Sequence, residues 1–273
     1  MAMAIEAPRR NGLETGPTRA DVLLSLRFAT LVESNPELYS KKILAAADRD
    51  HASWLRRLIT VWWLPQEAMH GPVFRKYLIA SGAMQPSQID AEIEEIQKRD
   101  SPLGEGYSAL EACTYGWIQE MVTWRFYQTM QKHAGEPVLY KILNDVGRQE
   151  NFHRYMYLNG VKTILKYEPS RIREVIETVK SFEMPGHYTI PELQPNYSSE
   201  WAKKFGFPRR VLFRDIAKGL IEMVGYEGLG EIVLSYGAKK LPWYLAAPVN
   251  PILSKTPGPI NNMIGRTAKK LIG

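Results

Sequence analysis

The 273-residue chain carries 35 basic and 29 acidic side chains, a net charge of +6, and 45% of its residues are hydrophobic. This composition excludes a disordered chain and a small disulfide-stapled protein, because the apolar content and length suffice for a sizeable core. The single cysteine, Cys113, excludes a disulfide framework and a cysteine-based zinc or iron–sulfur site within one chain, and we expect it to be a buried thiol.

The predicted elements are helices. Residues 1–18 are polar and hold two prolines and two glycines, which is typical of a flexible lead. Apolar residues then recur at helical spacing, and no stretch shows the period-two alternation of a strand. The predicted helices cover about 22–47, 52–79, 86–100, 108–133, 137–167, 170–183 and 208–240. We expect a bend or a break at Pro65 and Pro72, and a loop over 184–207.

This pattern predicts an all-α protein in which four long helices form an antiparallel bundle. A helical domain over 19–240 is followed by a basic, proline-containing tail over 241–273. The N-terminus lacks the apolar core of a signal peptide, and no run is long enough to span a membrane, so we expect a cytoplasmic location. The last 35 residues contain six bases and no acid, and they therefore account for the entire net charge. A basic balance favours an anionic partner, which could be nucleic acid, a membrane surface or an acidic protein.

One short pattern occurs on two different predicted helices. It is a Glu-x-x-His pair preceded by glutamine, and the two copies are Gln66, Glu67 and His70, and Gln149, Glu150 and His153. Residues three apart lie on one face of a helix, so each pair directs a carboxylate and an imidazole to the same point. One such pair arises easily by chance, but two on separate long helices indicate a shared site.

Two other predicted helices each offer a carboxylate among apolar neighbours, Glu33 and Glu120. Glu111 is an alternative to Glu120, although it lies near a helix start, where the helix dipole satisfies a carboxylate. Four buried carboxylates require cations, because a buried ionised carboxylate is costly unless it is paired or coordinated. This donor set predicts a centre of two divalent iron or manganese ions, and open coordination positions suit iron that reacts with O2.

The same segments resemble the soluble acyl-acyl-carrier-protein desaturases, a family of the ferritin-like di-iron superfamily. The resemblance covers about residues 25–245. The segments that carry it are LVESNPELY (31–39), EAMHGPVFRKYLIASG (67–82), IQEMVT (118–123), RQENFH (148–153), ILKYEP (164–169) and MPGH (184–187).

The resemblance implies a ferritin-like four-helix bundle with additional helices. It implies two irons, with O2 as co-substrate, and the iron ligands Glu33, Glu67, His70, Glu120, Glu150 and His153. Thr123 matches the family's active-site threonine near the oxygen-binding face, although a threonine that bonds to its own helix backbone is the alternative. The implied reaction introduces a double bond into a fatty acyl chain held by an acyl carrier protein. The implied partners are that carrier, a ferredoxin-like electron donor and a second copy of the chain in a homodimer.

The chain departs from the family in the same way at both Glu-x-x-His pairs. The family usually has an acid before the glutamate and an arginine before the histidine, whereas this chain has Gln66 and Met69, and Gln149 and Phe152. Residues that hydrogen-bond to metal ligands affect the reduction potential and reactivity of the metal, so these changes favour an altered reactivity. A related di-iron oxygenase or hydroxylase is therefore an alternative function. A non-catalytic helical protein that contacts membrane surfaces through the basic tail is a further alternative.

A second cluster of basic residues lies inside the region of resemblance. Between residues 203 and 218 it is opposed only by Asp215, and its members are Lys203, Lys204, Arg209, Arg210, Arg214 and Lys218. An acidic acyl carrier protein is a better match to this cluster than nucleic acid, given the metal centre and the resemblance. We therefore predict that the carrier docks there.

Overall fold

The computed structural model describes residues 16–99, 106–186, 190 and 199–236. Within these ranges the chain forms helices and no strand, which confirms the all-α, ferritin-like fold. The helices are α1 (Arg19–Glu33), α2 (Pro36–Arg49), α3 (Ser53–Leu58), α4 (Leu64–Ala80), α5 (Pro86–Gln97), α6 (Ala109–Gln131), α7 (Pro137–Tyr167), α8 (Ile172–Lys180), α9 (Ser199–Phe205) and α10 (Arg209–Tyr236). None of the helices in these ranges is both long and apolar enough to cross a membrane. The tail at 241–273 and most of the lead at 1–18 lie outside the described residues.

The main helices begin where local chemistry satisfies their first backbone N–H groups. Thr18 and Asp21 form a capping box at the start of α1, and Ser108 and Glu111 form another at the start of α6. The Glu136 carboxylate accepts hydrogen bonds from the first backbone N–H groups of α7. Such caps stabilise a helix by about 1 kcal/mol each. Because Glu111 caps α6, it is not available to the predicted metal centre.

One local prediction is wrong, and two others concern the prolines of the second predicted helix. The segment Ser199–Phe205 is helical, so the predicted loop over 184–207 is wrong there. Helix α4 continues through Pro72 without a break. The chain between α3 and α4 forms one π-helical segment, Ile59–Trp63, just before Pro65. The wider π turn accommodates a proline that can neither donate a backbone hydrogen bond nor fit the normal α-helical spacing.

The bundle core consists of two apolar clusters with a polar band between them. On α6 the first cluster takes residues from 109–122 and the second from 126–134. On α7 the order is reversed, with the second cluster at 139–146 and the first at 157–165. This reversal follows from the short connection at 132–136, which makes α6 and α7 antiparallel. The middle of each helix therefore faces the band, where the predicted metal ligands lie.

Gly71 allows α1 and α4 to approach closely beside this band. A Cβ atom at Gly71 would lie 2.4 Å from Ser34 Oγ and 2.6 Å from Ser34 Cα, which no side chain tolerates without a shift of the backbone. The end of α1 therefore packs directly against the turn of α4 that carries His70. This contact brings Glu33, the last residue of α1, next to His70.

Candidate metal centre

Four helices bring the six predicted ligands together in the polar band. All six are buried, and they are Glu33 from α1, Glu67 and His70 from α4, Glu120 from α6, and Glu150 and His153 from α7. They form two overlapping groups, in each of which the donor atoms lie within 4.8 Å of one another. One group holds Glu33 and His70, the other holds Glu120 and His153, and both share Glu67 and Glu150.

The histidines point the same ring atom at the carboxylates. His70 Nδ1 lies 3.5 Å from a Glu33 oxygen, 3.4 Å from a Glu67 oxygen and 3.1 Å from a Glu150 oxygen. His153 Nδ1 lies 2.7 Å from Glu67 and 3.8 Å from both Glu120 and Glu150. Each imidazole thus faces three carboxylates.

Several of these inward atoms have no properly aligned hydrogen bond within the described structure. They are Glu67 Oε1, His70 Nδ1, Glu120 Oε2, Glu150 Oε1 and His153 Nδ1. Buried polar atoms without a hydrogen bond are rare, and they indicate that another group binds there. Here they converge on two positions, and four carboxylates carry the charge that two divalent cations would neutralise. The residues therefore fit a two-metal centre of carboxylate and imidazole ligands.

The protonation behaviour of the cluster reflects its concentrated negative charge. Burial, followed by the charge of Glu150, raises the pKa of Glu33 to about 8, and the same two causes raise that of Glu120 well above its usual value. Burial alone would lower the pKa of His153, but the carboxylates of Glu120, Glu150 and Glu67 raise it to about 12. Without cations, the site therefore draws in protons to balance its charge.

The glutamines that precede the two pairs bind across the centre. His70 Nε2 is 2.7 Å from Gln149 Oε1, and His153 Nε2 is 2.8 Å from Gln66 Oε1. Each glutamine thus contacts the histidine of the other Glu-x-x-His pair. Among the described residues, neither glutamine side chain makes another hydrogen bond.

Two aromatic side chains, which were not predicted as part of the site, donate hydrogen bonds to its carboxylates. Tyr127 Oη donates to Glu33 Oε1 at 2.5 Å, and Trp63 Nε1 donates to Glu120 Oε1 at 2.7 Å. A sequence signal exists for both, because Tyr127 lies seven residues after Glu120 and Trp63 lies four before Glu67. Both spacings return to the same helix face.

Thr123 lies one turn after Glu120 and is buried. Its hydroxyl oxygen accepts a hydrogen bond from Gln119 Nε2 at 3.3 Å. Thr114 and Thr129 on the same helix donate instead to the carbonyl four residues earlier. Within the described part of the chain, Thr123 makes no such backbone bond, so its hydroxyl proton is available to a bound molecule.

A narrow apolar cavity runs beside the centre between α2, α6 and α7. Its volume is about 40 Å³, and its walls include Tyr39, Trp63, Ala112, Gly116 and Tyr157. Trp63 also bonds to Glu120, so one cavity wall directly adjoins the carboxylate cluster. The Tyr157 hydroxyl is buried without a hydrogen-bond partner in the described structure. A volume of this size has room for one small apolar group beside the predicted ligands.

Part of the predicted docking cluster forms an exposed basic face. Arg210, Arg214 and Lys218 are exposed, and they follow one another at four-residue spacing on α10. Asp215 does not offset their charge, because it is paired with Arg125.

The other members of the cluster differ. Lys204 Nζ lies 2.7 Å from Asp21 Oδ2, and this ion pair partly neutralises the charge of Lys204. Lys203 is exposed, and the side chain of Arg209 lies outside the described residues.

The similarities to known proteins agree with this geometry. The family profile described as fatty acid desaturase matches residues 34–222. A Mycobacterium tuberculosis protein named as an acyl-acyl-carrier-protein desaturase, DesA1, is 22% identical over 60% of this chain and 50% of its own length. The chloroplastic palmitoyl-acyl-carrier-protein 4-desaturase 2 of Ophrys sphegodes is 28% identical over 47% of this chain and 34% of its own. The chloroplastic stearoyl-acyl-carrier-protein 9-desaturase 6 of Arabidopsis thaliana is 24% identical over 52% of this chain and 36% of its own.

The chain thus spans half the length of these curated relatives or less. The family profile nevertheless covers well over half of the chain and includes both Glu-x-x-His pairs. The chain therefore belongs to the fatty acid desaturase family, among the acyl-acyl-carrier-protein desaturases.

Proposed function

We propose that this protein is an O2-dependent di-iron desaturase that introduces a double bond into a fatty acyl chain held by an acyl carrier protein. The observation that carries this proposal is the pair of overlapping carboxylate–imidazole groups next to an apolar cavity. Glu33 and His70 would hold one iron, Glu120 and His153 would hold the other, and Glu67 and Glu150, which belong to both groups, would contribute to both sites. Iron bound there supplies the activation of O2.

The reaction removes one hydrogen from each of two adjacent methylene groups. The two hydrogens, two protons and two external electrons convert O2 into two waters, and a ferredoxin-like carrier would supply the electrons one at a time. The chain's own residues position the substrate and exclude water from the carboxylates. The Thr123 hydroxyl, which makes no backbone hydrogen bond in the described structure, would donate a hydrogen bond beside Glu120, where oxygen chemistry would occur.

A single-turnover experiment tests the reaction class. The iron-loaded, reduced protein is mixed anaerobically with an acyl carrier protein that bears a saturated chain, and O2 is then added. Mass analysis of the acyl product should show the loss of two hydrogens. The gain of one oxygen would instead support a hydroxylase, the alternative favoured by the uncharged glutamines beside both histidines.

Metal analysis tests the centre itself. Two irons per chain, lost together in a Glu67→Ala, Glu150→Ala double variant, would support two metal positions with shared ligands. A chain that binds no iron would support a non-catalytic helical protein. Liposome co-sedimentation of the full chain and of a form that lacks 241–273 tests the membrane-surface role of the tail separately.

The cavity beside Trp63 has a volume of about 40 Å³, room for only a small part of an acyl chain, and its walls would limit how far that chain reaches past the metal centre. Ala112→Leu adds volume at a cavity wall and should shift the preferred substrate to shorter acyl chains. The matched control is Ala45→Leu, which adds the same side chain at an exposed position on α2. A panel of acyl carriers of increasing chain length measures the preference. An unchanged preference in Ala112→Leu would argue against this cavity as the acyl site.

The exposed basic face of α10 would dock the acidic carrier protein. Charge steering of this kind changes association rates by about 10-fold or more. Arg210→Glu and Arg214→Glu should therefore raise KM for the acyl carrier and leave kcat nearly unchanged. The control is Lys98→Glu on the distant α5 end, which is also exposed. An unchanged KM in both arginine variants would refute docking at α10. We further propose that the protein is a cytoplasmic homodimer. Size-exclusion chromatography with light scattering tests the dimer.

A further inference from the structure

The crossed contacts between glutamines and histidines join the two Glu-x-x-His pairs. Gln66 precedes Glu67 on α4 but contacts His153 on α7, and Gln149 precedes Glu150 on α7 but contacts His70 on α4. The two distances, 2.7 and 2.8 Å, are those of good hydrogen bonds. Neither contact follows from helix periodicity, because both depend on how α4 and α7 pack together.

The geometry determines which nitrogen of each ring carries the proton once a cation binds. In both histidines Nδ1 faces the carboxylates, so Nδ1 is the atom that would bind a metal. The neutral ring must then hold its proton on Nε2, and that N–H needs an acceptor. The amide oxygens of Gln66 and Gln149 are the acceptors on the outer side of the rings.

An amide differs from a carboxylate in this position because it has no charge. A carboxylate would draw the Nε2 proton towards itself and make the imidazole a stronger electron donor to the metal. Stronger donation and the added negative charge both favour the oxidised metal. An amide oxygen orients the ring equally well but adds neither effect. The residues just before the two histidines, Met69 and Phe152, are exposed and carry no charge.

We propose that Gln66 and Gln149 are positioning residues that form a crossed, uncharged clamp on the two ligand histidines. The clamp fixes both rings with Nδ1 towards the metals, and it leaves the metal pair easier to reduce than carboxylates at the same positions would. The inference rests on the proposed di-metal centre, but it does not depend on which acyl product the enzyme forms.

The positioning role is tested with Co²⁺, whose visible absorption reports the geometry and number of its ligands without any redox step. Gln66→Leu and Gln149→Leu retain the approximate side-chain size but lose the acceptor. Each should weaken Co²⁺ binding by about 10–100-fold, the usual effect of losing the partner of a ligand histidine. The control is Gln97→Leu at the exposed end of α5. Binding as tight as that of the control would overturn the clamp.

The charge argument is tested by restoring a carboxylate. Gln66→Glu and Gln149→Glu should lower the reduction potential of the iron-loaded protein, and Gln97→Glu should not. Each tenfold gain in preference for the oxidised metal lowers a one-electron potential by about 59 mV. Spectroelectrochemical titration measures the shift, and circular dichroism of the metal-free variants checks that they fold. Potentials that stay at the control value, or rise, would overturn the proposal.

The outcomes separate this inference from the proposed function. Wild-type protein that binds two Co²⁺ per chain with clamp-dependent affinity, yet forms no unsaturated product, would refute the desaturase and leave the clamp intact. Normal desaturation with Leu variants that bind Co²⁺ like the wild type would refute the clamp and leave the desaturase intact. Wild-type protein that binds no Co²⁺ would refute the metal centre and with it the clamp.

Discussion

Glu33→Gln should stabilise the metal-free protein, although it removes a predicted ligand. Burial and the charge of Glu150 raise the pKa of the Glu33 carboxyl from 4.5 to about 8. Between these two pH values the folded protein holds a proton that the unfolded chain has released. Stability therefore falls as pH rises through this window, because the folded state binds more protons than the unfolded state.

The size of the effect follows from the same shift. One pKa unit corresponds to 1.36 kcal/mol, so ionisation linkage at Glu33 costs the metal-free protein about 3 kcal/mol at pH 7. Glutamine has no charge to lose, and its Oε1 can still accept the hydrogen bond that Tyr127 donates at 2.5 Å. The variant should gain up to about 3 kcal/mol at pH 7, and the gain should vanish near pH 4.5.

Urea unfolding of EDTA-treated protein between pH 5 and pH 8 measures this gain. The matched control is Glu94→Gln, which makes the same change at an exposed position on α5. Co²⁺ at 1,000 times its Kd should reverse the order of stability, because it adds about 4.1 kcal/mol to a protein that binds it, which exceeds the expected gain of the variant. A Glu33→Gln variant that matches the control in EDTA at pH 7, or whose gain does not change with pH, would refute the reasoning.

Three further predictions concern packing and helix ends. Gly116→Ala should lower the free energy of unfolding by about 1–3 kcal/mol, because its Cβ would stand 2.9 Å from the Tyr157 ring. Arg125→Met should cost about 1.5–3 kcal/mol, because it leaves the mostly buried Asp215 carboxylate without its charged partner. Ser108→Ala should cost about 1 kcal/mol, because it removes the N-cap of α6. Urea denaturation of the metal-free variants measures all three.

Each of these three has its own contradicting result. A wild-type urea midpoint for Gly116→Ala would mean that the Tyr157 ring moves aside at no cost. For Arg125→Met, an unchanged midpoint would show that water solvates Asp215 in place of the guanidinium. A Ser108→Ala variant as stable as the wild type would mean that neither the cap nor the bond to Glu174 contributes to stability.

The six clustered side chains could be predicted because their pattern is local. Glu-x-x-His places both donors on one helix face whatever the rest of the fold, and an isolated Glu120 among apolar residues indicates a buried carboxylate. Glu111, the alternative, could be separated from Glu120 only by the capping box that it forms with Ser108.

The contacts that surround the cluster could not be predicted in the same way. The crossed bonds of Gln66 and Gln149 depend on the relative rotation of α4 and α7, which no periodicity encodes. Spacing puts Trp63 on the ligand face of its helix, but its bond to Glu120 also depends on the π-helical segment. The sequence indicates that segment only through the following Pro65. The cavity arises where α2, α6 and α7 fail to fill space between them, which is a property of packing and not of any one helix.

The polar band between the two apolar clusters gives the bundle an unusual distribution of local stability. Helices ordinarily fray from their ends, since terminal turns have the fewest contacts. In this bundle the unsatisfied atoms and the repelling charges lie in the middle turns of α6 and α7 and in the first turns of α4, and the end of α1 adds a further carboxylate. Amide hydrogens around Glu120 and Glu150 should then exchange with solvent sooner than those of the apolar turns on either side. Cations at the band would join all four helices there, so metal uptake should slow the exchange of these amides.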